Sequence, residues 1–114
     1  MGVIKPEHGG KTITITDAPA PVDKQLFVDA TGAAGTSGDD VAGINMLDIT
    51  TTGNDMTVQI NGTAHVIAGA ALTENDQLQC GTGGKAVPVI GTGRRVAVAL
   101  ETGALNGVVL VKII

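Results

Sequence analysis

Hydrophobic and polar residues alternate along this chain in short segments, each bounded by glycine, asparagine, aspartate or proline. Lys11 to Thr16 places Ile13 and Ile15 between threonines, which predicts a strand with one buried and one solvent-exposed face. Further short strands are predicted at Gln25 to Asp29, Ile44 to Thr50, Met56 to Ile60, Thr63 to Ala68, Leu78 to Cys80, Ala86 to Ile90, Val96 to Leu100 and Val108 to Ile113. This pattern predicts an all-β fold, a small antiparallel β-barrel or β-sandwich.

The last part of the chain has the clearest β pattern. An alternating run that contains Val98 and Leu100 is followed by turn residues around Gly107 and by a β-branched run from Val108 to Ile114. This arrangement predicts an antiparallel strand pair, with the final strand tied into a sheet as part of the core. The parity of the two strands predicts four core side chains: Val98, Leu100, Val109 and Val111.

Two glycine-containing segments connect predicted strands. Asn61-Gly62 has the residue types of a type I′ turn, so the strands on either side are expected to form a hairpin. The segment from Thr31 to Asp40 (TGAAGTSGDD) is small, polar and rich in glycine. It is therefore expected to be a mobile surface loop.

The length of 114 residues fits one domain, because smaller pieces would not bury an adequate core. We expect an extended N-terminal arm over residues 1–10, where Pro6 and the Gly9-Gly10 pair interrupt any period, and a single β domain over residues 11–114.

Phe27 is the one aromatic residue, so the core must be aliphatic. The single cysteine, Cys80, cannot form an intrachain disulfide, so stability must come from packing or association.

The formal net charge of −4 argues against a nucleic-acid partner, because phosphate binding needs clustered lysine and arginine. Arg94-Arg95 is the one basic pair, and it is expected to be a solvated strand start or a salt bridge. No apolar run is long enough to span a bilayer, and the first residues lack the apolar centre of a signal peptide. A cytosol-like compartment and no membrane partner are therefore expected.

No residue spacing in the chain predicts a reaction. Gly81 to Lys85 suggests a phosphate loop, but Gln79 stands where that motif needs glycine and Ala86 where it needs a hydroxyl. The other polar side chains with chemical potential lack the spacing of a metal or nucleophile site: His8, Ser37, Asp39, Asp40, Asp48, His65 and Cys80. We expect no enzyme activity, no cofactor and no metal.

The second half of the chain carries a set of short family patterns: Gly43-Ile44, the strand ending in Val58, Ala68-Gly69-Ala70-Ala71-Leu72, Asp76-Gln77-Leu78 followed by Gly84-Lys85-Ala86-Val87-Pro88, Val98-Ala99-Leu100-Glu101 and Gly107-Val108-Val109-Leu110-Val111. In this order they resemble the capsid decoration, or cement, proteins of tailed bacteriophages, a family long known only as a domain of unknown function. The chain has Asn54, Asn75 and Ala97 where family members commonly have glycine.

The resemblance implies a structural role. Such proteins bind the outer surface of an assembled capsid, commonly as trimers, and cement neighbouring capsomers against the internal pressure of the DNA. The implied partners are the major capsid protein of the same phage and further copies of the chain, with a homotrimer favoured and a dimer possible. Neither nucleic acid, membrane nor cofactor is implied. The implied location is the outer surface of the virion, after synthesis in the host bacterial cytoplasm.

Two parts of the chain are the expected contacts with the capsid or with another subunit. They are the arm, through Val3, Ile4, Lys5 and Pro6, and the loop, through Thr36, Asp39 and Asp40. Two other functions remain open. One is a different phage structural module, in a tail or fibre. The other is a ligand-binding β domain, which the absence of Trp and Tyr disfavours for sugars.

Overall fold

The computed structural model describes residues 11–16, 19, 22–38, 40–46, 53, 55–89, 91 and 93–114. Within them the chain forms nine strands: β1 (Thr12–Ile15), β2 (Phe27–Val28), β3 (Gly43–Asn45), β4 (Met56–Gln59), β5 (Gly62–Ile67), β6 (Gln77–Cys80), β7 (Ala86–Pro88), β8 (Ala97–Ala99) and β9 (Val108–Ile113). A single 3-10 turn spans Thr82–Gly84. The predicted arm, residues 1–10, and the predicted contact Asp39 lie outside the described residues.

The strands form two antiparallel sheets. One has four strands in the order β1-β4-β3-β2, and the other has five in the order β5-β9-β8-β6-β7. The main hydrophobic core joins Phe27 and Ile44 of the four-stranded sheet to Val66, Leu78 and Val109 of the five-stranded sheet. The predicted all-β fold is therefore confirmed as a sandwich-like arrangement, in which the sheets are not closed into a barrel.

The four-stranded sheet also packs a second core on its opposite face. Val28, Met56 and Val58 form this smaller cluster with Val22 and Leu26. The strand register explains the division, because side chains on alternate positions point to opposite faces. Phe27 thus contacts the main core while its neighbour contributes to the other.

The prediction for the final strand is confirmed, but half of the predicted core positions are wrong. β9 lies between β5 and β8, and both Val109 and Val111 are fully buried. On β8, however, Ala97 and Ala99 are the buried residues. Val98 lies on the outer face, as does Leu100 just after the strand. The prediction assumed that the larger side chains point inward, whereas the core accepts alanine at these positions.

The predicted Asn61-Gly62 hairpin is also wrong, because β4 and β5 belong to different sheets. Gly62 adopts a left-handed φ of 80°, and the Asn61 Oδ1 atom accepts a hydrogen bond of 2.7 Å from the Lys11 backbone amide. The segment redirects the chain from one sheet to the other, and β5 pairs with β9 instead of β4. The residue types of Asn61-Gly62 therefore predict the bend of the chain, but they do not determine which strand pairs with β5.

The segment from Thr31 to Asp40 is a surface loop, but it is anchored to both sheets. The Gly35 amide donates to the Phe27 carbonyl at 2.9 Å, and the Gly38 amide donates to the Cys80 carbonyl at 2.8 Å. A Cβ atom at Gly35 would lie only 2.5 Å from the Cys80 Sγ atom. Glycine at this position permits the close packing of the loop against Cys80, while the mobility of the loop stays a prediction.

The glycine segment that suggested a phosphate loop is a turn between β6 and β7. The Gly81 amide donates to the Lys85 carbonyl at 2.6 Å. Pro88 lies in β7, which is an edge strand, so its missing amide proton removes no ladder bond within the sheet.

Candidate contact surfaces

The loop that contains the predicted contacts Thr36 and Asp40 meets a second exposed segment, residues 93–95. The Arg94 amide donates to the Gly38 carbonyl at 3.1 Å, and Arg94 Nε lies 2.9 Å from Asp40 Oδ1. These two side chains are 65% and 70% exposed, so solvent screens the ion pair and it adds little stability. Asp40, Arg94 and Arg95 line one surface pocket. Together with Thr36, which is exposed in the same loop, we call them the loop surface.

Asp29 organises the start of this loop. Its Oδ1 atom accepts hydrogen bonds from the Thr31 amide at 2.9 Å, the Thr31 hydroxyl at 2.5 Å and the Ala33 amide at 3.2 Å. Slight burial acts to raise the pKa of Asp29, but these hydrogen bonds outweigh it and the pKa lies below its ordinary value. The resulting stabilisation is present above the unfolded pKa and is lost as the pH falls through the folded pKa.

A cavity of about 180 Å³ lies beside β3, β4 and β5. Among its lining residues are Lys24, Asn45, Gln59 and His65. Gln59 is fully buried, and its Nε2 atom donates to the backbone carbonyls of Asn61 at 2.9 Å and Thr63 at 2.6 Å. Its Oε1 atom has no hydrogen-bond partner in the described part of the chain. A water or another small donor can complete this amide from the cavity.

The sequence pattern did not single out Gln59, which alternates with the apolar residues Met56 and Val58 along β4. In the structure, Gln59 pairs with Ile44 and therefore shares the face that contacts the main core. Gln59 is buried because the second sheet packs over it, and the local sequence around Gln59 does not indicate that packing.

Gln59→Glu is expected to destabilise the chain by at least about 2 kcal/mol at neutral pH, with little loss below about pH 4. The new carboxylate would face two carbonyl oxygens in a buried site, so its folded pKa would rise above the unfolded value near 4.3. The loss therefore grows as the pH rises above the unfolded pKa. Urea unfolding of the variant and of wild type, each at neutral pH and below about pH 4, measures this loss of stability. Gln77→Glu, at an exposed position of β6, is the control, and an equal loss at both pH values would contradict the buried geometry.

Strand β1 was expected to bury its isoleucine face, and this prediction is only half correct. Ile15 is half-buried and packs against the smaller core, whereas Ile13 is 40% exposed. β1 is an edge strand, so the described chain covers it less completely than an interior strand.

The outer face of the five-stranded sheet carries a larger group of aliphatic side chains. Leu100 is 38% exposed and Val108 is 47% exposed, while Val98 and Leu110 are half-buried. The register places Val98 opposite Lys112, and the Leu100 amide donates to the Leu110 carbonyl at 2.9 Å. We call Val98, Leu100, Val108 and Leu110 the aliphatic face.

The fold does not assemble a metal site from the polar side chains that the structure describes. Across the described residues, no group of three or more His, Cys, Asp or Glu side chains is placed to hold a metal ion. Cys80 is fully buried, and its thiol lies 3.4 Å from the Gly81 carbonyl oxygen. In the same part of the chain, no helix has the length and apolar character needed to cross a membrane.

The described residues form a small antiparallel β-sandwich in which the loop surface and the aliphatic face are exposed to different degrees. This fold is similar to the crystal structure of the head fiber gp8.5 N base in bacteriophage phi29, with a TM-score of 0.74. The two sequences are 17% identical, and the match covers 91% of this chain and 93% of that chain. At this identity the likeness establishes a shared fold. No known protein-family profile matches the chain, and neither does any curated protein sequence.

Proposed function

We propose that the chain is a structural virion protein that binds the outer surface of a phage capsid and cements neighbouring capsomers. In this role it stabilises the shell against the internal pressure of the DNA. The observation that carries the proposal is the near-complete overlap of its fold with the base of a phage head fiber. The resemblance of residues 43–114 to the capsid decoration proteins of tailed bacteriophages is a separate, sequence-based argument for a phage structural protein.

The composition and the surfaces agree with a protein partner. The chain has a formal net charge of −4 and only seven lysine and arginine residues, which disfavours phosphate binding. The loop surface and the aliphatic face offer mixed-charge and apolar contact areas, respectively. We therefore propose a non-enzymatic protein without a cofactor, located on the outside of the virion.

The proposed partners are the major capsid protein of the same phage and further copies of this chain. The proposed contacts are Val3, Ile4, Lys5 and Pro6 of the arm and Thr36, Asp39 and Asp40 of the loop. Thr36 and Asp40 are both exposed on the loop surface. An arm that adds a strand to a neighbouring sheet edge would gain affinity from main-chain hydrogen bonds.

A head-fiber base is the second candidate function, and it is favoured directly by the structural neighbour, which is itself the base of a head fiber. Copy number separates the two functions, because a cementing protein must occupy the shell repeatedly whereas fibres need fewer sites. The full chain should be titrated onto undecorated, expanded capsids and the particles imaged. Regular, saturable coverage of the shell supports cementing. Density confined to a few positions supports a fibre base, and no binding contradicts both.

Deleting residues 2–10 is expected to weaken capsid binding at least about tenfold, a loss of about 1.4 kcal/mol. The thermal transition of the free protein should remain nearly unchanged, because the arm sequence has no core pattern. Titration of both proteins onto expanded shells measures the difference. Thr14→Lys, at an exposed position of β1, serves as the control and should bind like wild type. Equal affinity of the truncated protein would assign the contact to the loop surface instead.

A further inference from the structure

The aliphatic face is unusual for the solvent side of an antiparallel sheet. Such sheets commonly alternate apolar residues toward the core with polar residues toward water. Here both parities of β9 are largely apolar: Val109 and Val111 fill the core, while Val108 and Leu110 lie on the outer side. Contiguous apolar patches on a protein surface are a common feature of interaction sites.

Charged side chains stand at the two ends of this face. Lys112 is exposed beside Val98, and Glu101 follows Leu100 at the other end. The Glu101 Oε2 atom accepts a hydrogen bond of 2.9 Å from the Leu110 amide, which holds the carboxylate against the sheet. The positive and negative ends are about three residues apart along the strands, or roughly 10 Å.

We propose that the aliphatic face is the contact between copies of this chain. A surface with a cation at one end, a carboxylate at the other and aliphatic residues between them is complementary to itself. In a closed ring of two or three copies, this face can turn toward the symmetry axis and place Lys112 of one copy near Glu101 of the next. The aliphatic side chains of all copies then meet at the centre and leave water.

The aliphatic face is thus the surface through which copies of the chain would contact each other. The proposal rests on the proposed function only for the expectation that several copies act together. A capsid surface is the competing occupant. The charge pattern favours a second copy, since one chain supplies both halves of each ion pair. The arm and the loop surface then remain for the shell.

The test measures the mass of the full chain in solution, without shells, by light scattering and sedimentation across micromolar concentrations. Wild type should form a dimer or trimer. Leu100→Asp and Val108→Asp should each weaken association at least tenfold while keeping a cooperative thermal transition. Thr14→Asp on the four-stranded sheet is the matched control and should associate like wild type.

A charge exchange tests the same contact without adding a carboxylate to the aliphatic residues. Lys112→Glu should weaken association, and combining it with Glu101→Lys should restore part of the loss. This pair keeps the test decisive if an aspartate variant fails to fold. A monomeric wild type, or variants that associate normally, would overturn the proposal. If Leu100→Asp associates normally in this test and loses binding in a separate titration onto shells, the proposal is overturned and the face is assigned to the capsid. Because no shell is present, failure here leaves the shell titration of the proposed function unaffected.

Discussion

Val109→Asp is expected to prevent stable folding at neutral pH, whereas Val108→Asp should leave a folded protein. The two residues are neighbours in β9, but Val109 is fully buried in the main core and Val108 is 47% exposed. A buried carboxylate without a partner costs several kcal/mol, and the total stability of a domain is about 5–15 kcal/mol. Circular dichroism and urea unfolding of the two variants measure the contrast.

The matched pair isolates burial from charge, because both variants add the same carboxylate to the same strand. A soluble Val109→Asp protein with a cooperative transition at the wild-type midpoint would show that the pairing of β9 with β5 and β8 is wrong. Unfolding of both variants would show that the outer side of β9 is covered even in the isolated chain.

Gly43→Ala should cost about 1–3 kcal/mol or more through overpacking. A Cβ atom at Gly43 would lie only 2.1 Å from the carbonyl oxygen of Gln59. That oxygen belongs to the backbone of β4, which pairs with β3 through Ile44 and Asn45. The strands would have to separate to make room, so the clash cannot be relieved by a side-chain rotation.

Gly91→Ala is the control for this substitution. Among the described residues, no atom lies within 4 Å of a Cβ built at Gly91, its own chain neighbours left aside. The φ of Gly91 is left-handed at +58°, so alanine there should cost only about 1–2 kcal/mol of backbone strain. Urea unfolding compares both variants with wild type. If Gly43→Ala is no worse than Gly91→Ala, the close approach of β3 and β4 is incorrect.

Much of the strand content follows from the sequence, because alternation and turn residues act locally. The Thr12, Ile13, Thr14, Ile15 alternation forms β1, and the β-branched end of the chain forms β9. Pro88 lies in the edge strand β7, the kind of strand in which a missing amide proton is tolerated.

Side-chain direction and strand pairing were harder to predict, because both depend on distant parts of the chain. β8 buries Ala97 and Ala99 and turns the larger Val98 outward, a choice set by its neighbours β6 and β9. Likewise, Asn61-Gly62 has ideal hairpin residues, yet the strand after it pairs with the end of the chain. Neither outcome is encoded within a short window.

The contact surfaces show the same division. The loop residues Thr36 and Asp40 are exposed as the sequence suggested, and their role as contacts stays a prediction. The aliphatic face was missed because Val98 and Leu100 have the pattern of core residues. An alternating apolar run indicates an apolar face, but it does not distinguish a face that packs against a second sheet from one that lies on the surface of the chain.

The change of sheet at Asn61-Gly62 divides the chain into two consecutive halves. Strands β1 to β4 build one sheet, β5 to β9 build the other, and all their ladder pairings lie within one half. The halves are joined by core side chains and by a few backbone hydrogen bonds, such as the one from the Ile67 amide to the Gln25 carbonyl. A break in the linking segment would therefore interrupt no ladder, and the two fragments would each retain every strand partner needed to rebuild the sandwich by docking.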